Sequence, residues 1–404
     1  MNTVPASIPV LRWAADRAGH PDDILEKRFS KWPLWLTGEA QPTLKQLENF
    51  ARFTYTPIGY FFLPEPPELK LPMTDFRTVR DEALAEPSSN LLDTIYLCQQ
   101  RQDWFRDYAR MHGLARLDFV GSASLKDKPE DLAESMRRRL GLSIAEREKL
   151  STWTAALRQL IAKAEDAGVM VMASSIVSSN SSRKLDVDEF RGFALADDLA
   201  PLVFLNGADS KAAQMFTLAH ELVHVWLGES GISDPKAGNI PEHKTERWCN
   251  QVAAELLVPL TELRREYDPD SEALDEIQRL ARLFKVSTLV ALRRLFDAGF
   301  IDESTLWQCY RQEVKRIKAL ERSGGGGGDF YRTLGTRTSK LFARAILSST
   351  LEGQTLFRDA FRMLGIRNTA TLYQAAQAEL CLEAVDRVDS WPWTLWTGWT
   401  LWTF

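Results

Sequence analysis

The most constraining feature of this 404-residue chain is a pair of histidines four positions apart, His220 and His224, in the stretch TLAHELVHVWLG. The chain contains only five histidines, so this spacing seldom arises by chance. The stretch has a helical apolar pattern, and residues four apart lie on one face of a helix, where both imidazoles can reach one cation. Asp209 or Ser210 can cap the N-terminus of this helix, and Gly228 can supply the left-handed residue that ends it.

Glu221, directly after the first histidine, lies about 100° around the helix from it. Catalytic zinc is bound by three protein ligands and one water molecule, and histidine nitrogens are typical ligands. At that angle the Glu221 carboxylate would miss the ion and reach the bound water, where it can act as a general base. The pattern HExxH therefore favours a catalytic Zn²⁺ site over a core helix that happens to contain histidines.

A third ligand is expected from the stretch PEHKTERWCNQVAAELLVP, which begins at Pro241, ends at Pro259 and has the pattern of a second helix. Glu246 and Asn250 lie four apart on one face of this helix. Glu246 is the predicted third zinc ligand, and Asn250 is predicted to hold a histidine ring or the ligand carboxylate in place. His243, one turn before Glu246, is the competing candidate for the third position.

Composition sets broader limits. A net charge of −5 gives no overall attraction to nucleic acid, so DNA contact would require a local basic patch. Four scattered cysteines without a CxxC pair are typical of a reducing compartment. The N-terminus lacks the pattern of a signal peptide, and no stretch approaches the ~18 apolar residues that cross a membrane. A cytoplasmic protein that does not contact membranes is predicted.

Turn signals divide the chain into predicted regions. Short helices are expected in residues 1–66 and a helical linker region in 67–129. Residues 130–300 carry the HExxH helix and apolar runs that suit strands of a small sheet. The remaining regions are a helical segment, 301–385, with a flexible Gly-rich joint at 323–328, and a Trp-rich tail, 386–404, predicted to be disordered.

The stretch EFRGFALADDLAPLVFLNGADSKAAQMFTLAHELVHVWLG, followed by ERWCNQVAAELLVP, resembles the ImmA/IrrE family of bacterial zinc metallopeptidases over residues 130–300. The resemblance implies a mainly helical α+β fold with a gluzincin-like metallopeptidase core. By position it makes His220, His224 and Glu246 the zinc ligands and Glu221 the catalytic glutamate. Known members of the family cleave a partner transcriptional repressor or trigger its loss, so the expected partner is a protein substrate of the Xre repressor type.

In folds of this kind an exposed edge strand can bind an extended peptide by backbone pairing. Residues 190–196 or 201–206 are the candidates for that edge. Zinc would polarise the scissile carbonyl while Glu221 deprotonates the water. His243 and Tyr267 are the candidates for stabilising the transition state. Autoproteolysis in the loop SSNSSRKLD or in the Gly-rich joint is a weaker alternative.

The stretches LRWAADRAG, WLTGEAQPTLKQLENFA and PIGYFFLPEPP resemble an Xre/Cro-type helix-turn-helix in residues 1–66. Pro33 lies where the recognition helix should run and would shorten or break it, and few side chains remain to read base edges. Seven basic residues are balanced by seven acidic ones. A degenerate or protein-binding helix-turn-helix is therefore favoured. The alternative is a DNA-binding regulator or antitoxin-like protein in which the zinc-peptidase fold serves as a sensor or scaffold.

Two further segments have features of nucleic-acid contact. Residues 280–300 have a helix–turn–helix rhythm with Arg293 and Arg294, although closing helices of the peptidase region are the favoured interpretation. Residues 311–344 contain nine Lys or Arg and three Asp or Glu, which is usually a solvated helix face. A role in contacting DNA phosphates is the alternative for this basic run.

Overall fold

A computed structural model describes residues 3–69, 71–75, 87–233, 243–321 and 335–386, with only the backbone described in 318–321 and 380–386. The helices are α1 (Ile8–Arg17), α2 (Asp22–Arg28), α3 (Trp32–Thr37), α4 (Leu44–Phe53), α5 (Ser89–Met111), α6 (Pro129–Leu140), α7 (Ile144–Glu148), α8 (Trp153–Asp166), α9 (Lys211–Leu227), α10 (Lys244–Leu257), α11 (Leu260–Glu266), α12 (Ala273–Phe284), α13 (Thr288–Asp297), α14 (Glu303–Glu321), α15 (Lys340–Leu351), α16 (Phe357–Leu364) and α17 (Thr369–Asp386). The strands are β1 (Thr74–Asp75), β2 (Met170–Ser174), β3 (Gly192–Leu195), β4 (Leu202–Asn206) and β5 (Gly231–Ser233). The chain is mainly helical with one small mixed sheet, which confirms the predicted α+β class.

The five strands form one sheet in the order β1-β5-β3-β4-β2. β3 pairs antiparallel with β4 on one side and with β5 on the other, while β4 also pairs in parallel with β2. The expectation that residues 190–196 or 201–206 form an exposed edge is therefore wrong. The reason is non-local: β5, which follows the HExxH helix, returns to the sheet and covers the free side of β3.

Both faces of the sheet are buried. Successive side chains of a strand point to opposite faces, so one strand contributes to both cores. Val203 and Leu205 of β4 face a core that includes residues of α8, α9, α10, α12 and α13. Leu202 and Phe204 face a second core, built from α5 and the helices α15 to α17. The metal-binding candidates on α9 and the C-terminal helices thus lie on opposite faces of one sheet.

Arg101 on α5 connects two regions that lie far apart in the sequence. Its side chain is 4% exposed and donates hydrogen bonds to the carbonyl oxygen of Met363 at 2.7 and 3.0 Å. A third bond, of 3.2 Å, reaches the carbonyl oxygen of Arg337. Burial lowers the pKa of Arg101 to about 10. Helix α5 and the C-terminal helices therefore share one core with the sheet.

The N-terminal helices α1 to α4 enclose a separate aromatic core. Trp32 stacks on Phe50 with ring centroids 5.2 Å apart, and Trp35 packs edge-on against the same ring. Pro33 lies in the first turn of α3, where a proline ring is tolerated, so it begins this helix rather than breaking it. The helix is nevertheless only six residues long, because Gly38 ends it in the left-handed conformation.

Helices α12 and α13 are joined by a left-handed residue, Lys285, and pack into the core that surrounds α9. Arg294 is 4% exposed and donates a hydrogen bond of 2.9 Å to the carbonyl oxygen of Val258, and it forms an ion pair with Glu255. Arg294 is therefore buried against protein partners, which supports the interpretation of this pair as closing helices.

Three features fall partly or wholly outside the described residues: the Gly-rich joint at 323–328, most of the Trp-rich tail and part of the basic run at 311–344. Within the described ranges, every helix is too short or too polar to span a bilayer.

Candidate metal centre

Helix α9 carries two of the candidate ligands, His220 and His224, and is buried along most of its length. Ser210 begins it by accepting a hydrogen bond of 3.2 Å from the amide of Ala213, whereas the other candidate cap, Asp209, pairs with Arg191. Gly228 ends the helix at φ 72°, as its position in the sequence predicted. All residues from Gln214 to Trp226 are buried. The polar side chains of this stretch are consequently removed from water and require partners inside the protein.

Two of these polar groups, the imidazoles of His220 and His224, meet a carboxylate from α10 at one point. The Nε2 atoms of His220 and His224 lie 3.1 Å apart. Glu246 Oε2 lies 3.1 Å from the first Nε2, and Glu246 Oε1 lies 3.0 Å from the second. The histidines are 0% exposed and Glu246 is 2% exposed. Glu246 reaches them from the first turn of α10, which packs against α9.

The three side chains that converge here are suitable ligands for a zinc ion. Two imidazole Nε2 atoms that face each other at this distance can share at most one proton between them, whereas a cation would satisfy both. Two histidine nitrogens and one carboxylate are a typical ligand set of catalytic zinc. Both oxygens of Glu221 are buried and make no well-formed hydrogen bond within the described part of the chain. They can therefore accept a hydrogen bond from a water molecule bound at the metal.

The two glutamates of the site have opposite pKa shifts. Burial alone would raise the pKa of Glu246, but the charges and hydrogen bonds of His220 and His224 outweigh it and lower that pKa to about 2. Burial raises the pKa of Glu221 to about 8, and the nearby Glu246 carboxylate acts in the same direction. Glu246 is thus ionised and suited to a cation, whereas Glu221 can exchange a proton near neutral pH. A bound cation would lower the pKa of Glu221 further.

Asn250 lies beside His220, as the spacing on α10 predicted. Burial tends to lower the pKa of His220, but Glu246 and Asn250 are among the groups that raise it. His220 Nδ1 and Asn250 Oδ1 are both buried without a well-formed hydrogen bond among the described residues. A ring N–H and an amide oxygen are complementary, so a small rotation would join them and orient the imidazole.

Gly192 on β3 contributes to the site although sequence reasoning did not select it. A Cβ atom here would lie 2.6 Å from Thr217 Cγ2, 2.9 Å from the carbonyl oxygen of Phe204 and 3.2 Å from Glu221 Oε1. Only glycine therefore lets β3 approach α9 closely beside the Glu221 carboxylate. The signal was present in FRGFALA, because an isolated glycine in a strand indicates close backbone approach.

Ser233 on β5 is a second residue of the site that the sequence did not reveal. Its side chain is fully buried, and its Oγ lies 3.4 Å from His224 Nε2. It also pairs with Gly192, whose Cβ position lies 3.2 Å from Glu221 Oε1, so Ser233 lies near both side chains. No motif spacing marks it, since it reaches the site only through the pairing of β5 with β3.

Two other candidates lie elsewhere. His243 is exposed at the N-terminal cap of α10 and is outside the three-residue cluster, so the structure brings Glu246, not His243, to the two histidines. Tyr267 stacks on Phe300 with ring centroids 4.0 Å apart. Its ring is partly buried against the core around α9 and has a packing role.

Comparisons with known proteins match the part of the chain that holds this cluster. Residues 164–296 match a peptidase family described as the IrrE N-terminal-like domain, and residues 338–378 match a domain of unknown function. A stretch of 99 residues is 34% identical to the radiation response metalloprotease IrrE of Deinococcus radiodurans. That match covers 22% of this chain and 30% of the relative. These findings support the ImmA/IrrE family and a metallopeptidase for this region.

Proposed function

We propose that this protein is a zinc-dependent endopeptidase of the gluzincin type. The observation that carries the proposal is the convergence of His220, His224 and Glu246 beside the buried carboxylate of Glu221. The same four positions carry the HExxH and glutamate pattern that resembles the ImmA/IrrE peptidases. Asn250 completes the set as the residue that orients His220.

Each side chain has a defined task in peptide hydrolysis. His220, His224 and Glu246 hold the metal, which when bound supplies a Lewis acid for the scissile carbonyl and a site for the attacking water. Glu221 accepts one proton from that water as the oxygen attacks the carbonyl carbon. Glu221 then gives the proton to the leaving amine as the C–N bond breaks. The products are one carboxylic acid and one amine, which become a carboxylate and an ammonium group by proton exchange in water, and the enzyme returns to its starting protonation state.

The proposed substrate is a partner protein in the bacterial cytoplasm, an Xre-type transcriptional repressor whose cleavage changes gene expression. Three observations support this choice: the resemblance to ImmA/IrrE, the name of the matched relative as a radiation response metalloprotease, and the helical domain at residues 3–66. A helix-turn-helix of this kind can dock onto a like-folded repressor.

The exposed surface of α3 favours protein docking over sequence-specific DNA binding. Trp32 and Trp35 are buried, and the side chains left outside include Pro33, Leu34 and Thr37. None of these three is an arginine, lysine, asparagine or glutamine, the residues that usually read base edges. The reading of the chain as a DNA-binding regulator with a sensor-like peptidase fold therefore ranks second.

A comparison of wild type with Glu221→Gln tests the proposal. Both proteins should bind about one zinc ion per chain, because Glu221 is not a ligand in this arrangement. Mass spectrometry of cells that express each form should find a repressor shortened only by the wild type. Glu229→Gln, beyond the end of α9, is the matched control and should cleave normally. Absence of zinc from the purified protein, or a repressor shortened equally by Glu221→Gln, would contradict the proposal.

A further inference from the structure

The candidate metal centre is sealed from solvent. His220, Glu221, His224 and Ser233 are 0% exposed, and Glu246 is 2% exposed. A protein substrate has to bring its scissile carbonyl to the metal and to Glu221. The elements packed around these buried residues therefore control how a substrate reaches them.

β5 is the element that closes the sheet side of the site. It pairs antiparallel with β3 in a register that places Ser233 opposite Gly192 and Ile232 opposite Phe193. Gly192 is the point where β3 comes closest to Glu221. The side chain that β5 delivers at this point is the hydroxyl of Ser233, 3.4 Å from His224 Nε2.

The position of β5 coincides with the position that a substrate needs. An extended peptide binds to a sheet by pairing with a strand that has a free side. The strand beside the metal helix is β3, and its other side is already paired with β4. The side taken by β5 is thus the place where a substrate strand would lie along β3.

Ser233 coincides in the same way with the attacking water. A catalytic water has to lie between the metal and the Glu221 carboxylate. The Ser233 hydroxyl lies 3.4 Å from the His224 nitrogen that would bind the metal, and Ser233 pairs with Gly192, whose Cβ position lies 3.2 Å from Glu221 Oε1. One hydroxyl group therefore occupies the space that the water requires.

We infer that β5 is a built-in inhibitory strand, which fills the substrate's place along β3 and the water's place at the metal until it is displaced. The inference rests on the proposed peptidase function and adds its regulation. Ile232 anchors β5 because its side chain is fully buried in the core on the other face of the sheet.

The outer side of β5 supplies a route to release. β1 pairs with it in parallel, with Thr74 opposite Gly231 and Asp75 opposite Ile232. β1 is only two residues long and lies in the segment between the N-terminal helices and α5. A partner that binds the N-terminal domain can therefore loosen β5 by pulling β1 away, which would couple docking of the substrate to opening of the site.

A small metal chelator tests the position of Ser233 without any hydrolysis. Cobalt-substituted protein is titrated with acetohydroxamate, which needs open coordination positions, and binding is followed in the visible spectrum. Ser233→Ala should bind acetohydroxamate at least about tenfold more tightly than wild type, because the competent fraction rises. The matched control is Ser349→Ala on α15, a buried serine whose hydroxyl contacts Thr355 away from the β3–β5 pairing and whose loss should leave binding unchanged.

Loosening the anchor tests the strand itself. Ile232→Ala should speed hydrogen exchange of the β5 amides and raise the rate of β-casein cleavage by about tenfold, since more molecules have β5 displaced. Ile277→Ala, a truncation of an equally buried isoleucine on α12, is the control for general destabilisation and should not raise the rate.

The outcomes separate the two proposals. Wild-type acetohydroxamate affinity in Ser233→Ala overturns the inhibitory strand, as does faster β5 exchange in Ile232→Ala with no gain in cleavage. If Ile232→Ala fails to fold, the Ser233→Ala titration decides alone. Tighter acetohydroxamate binding in Ser233→Ala, with no hydrolysis by any variant, supports the occluding strand and rejects the peptidase function.

Discussion

Helices α9 and α3 are two of the helices that the sequence marks as functional, and they bury different kinds of side chain. α9 is 17 residues long and carries two histidines and a glutamate into the core. α3 is six residues long, buries two tryptophans and leaves Pro33 and Leu34 in solvent. Helix α9 therefore buries imidazole and carboxylate groups that can bind a cation, whereas α3 buries indole rings that pack against other aromatic rings.

The two regions are also stabilised differently. Ionisable groups that are buried side by side cost free energy unless they are paired or bind a metal, so a bound cation would stabilise the cluster at His220, His224 and Glu246. The N-terminal domain is stabilised mainly by stacked and edge-on rings that fill its core. Changes at the metal centre and changes in the aromatic core should therefore act independently.

The largest effect is expected from Glu246→Ala. Zinc affinity should fall by roughly a thousandfold, because one of three ligands supplies about a third of a binding free energy of order 12 kcal/mol. Hydrolysis should disappear with the metal. Competition with a chromophoric chelator measures the affinity, and Glu266→Ala at the end of α11 is the control. Unchanged zinc affinity would remove Glu246 from the site.

Trp32→Ala tests the aromatic core of the N-terminal domain. Loss of this buried ring should destabilise the N-terminal domain by roughly 3 kcal/mol, which is typical of a large-to-small change in a core. Zinc affinity and casein cleavage should stay at wild-type levels. Urea unfolding followed by tryptophan fluorescence measures the first, and chelator competition the second. Joint loss of zinc would show that the two regions are coupled.

Asn250→Ala should weaken zinc binding by about ten- to a hundredfold, because the His220 ring loses the group that orients it. Chelator competition at constant pH detects a change of this size. Gln251→Ala, on the neighbouring exposed position of α10, should have no effect. Equal affinities for the two variants would assign Asn250 a packing role only.

A pH prediction extends the comparison to a partly buried carboxylate that lies outside the metal cluster. Glu165 on α8 accepts a hydrogen bond of 2.8 Å from the Lys340 amide, and burial raises its pKa to about 7. The folded chain keeps this proton at a pH where the unfolded chain has lost it, so stability falls as pH rises from about 5 to 7.

Glu165→Gln should remove that decline, which we expect to contribute about 1–2 kcal/mol in wild type since the group is partly exposed. Urea unfolding at pH 5 and pH 8 measures the difference between the two proteins. An identical pH slope in wild type and Glu165→Gln would show that Glu165 ionises at its ordinary pKa.

The smallest effect is expected for DNA. Selection of the full chain against a randomised pool of duplexes should enrich no sequence, because the exposed positions of α3 carry no arginine, lysine, asparagine or glutamine. Leu34→Ala should therefore change duplex affinity by less than about twofold. An enriched consensus that Leu34→Ala abolishes would restore α3 as a recognition helix.

Local spacing was sufficient to predict most of the metal cluster. His220 and His224 meet because a helix places residues four apart on one face, and Glu246 and Asn250 follow the same rule on α10. The sequence likewise predicted that Asp209 or Ser210 caps α9, of which Ser210 does, and that Gly228 ends it. The part that failed was the edge strand, because β3 and β4 show the same apolar run whether or not a neighbour covers them.

By itself the sequence determined which side chains could form a metal centre and which helices carry them, since helical periodicity is a local property. Only the tertiary structure decided that β5 returns to β3, that Ser233 enters the site and that Gly192 permits the close approach. Strand pairing joins residues that lie far apart along the chain. The pairing of β5 with β3 also depends on how the two faces of the sheet are packed, and α5 and the C-terminal helices pack against one of these faces. No local sequence motif encodes these contacts.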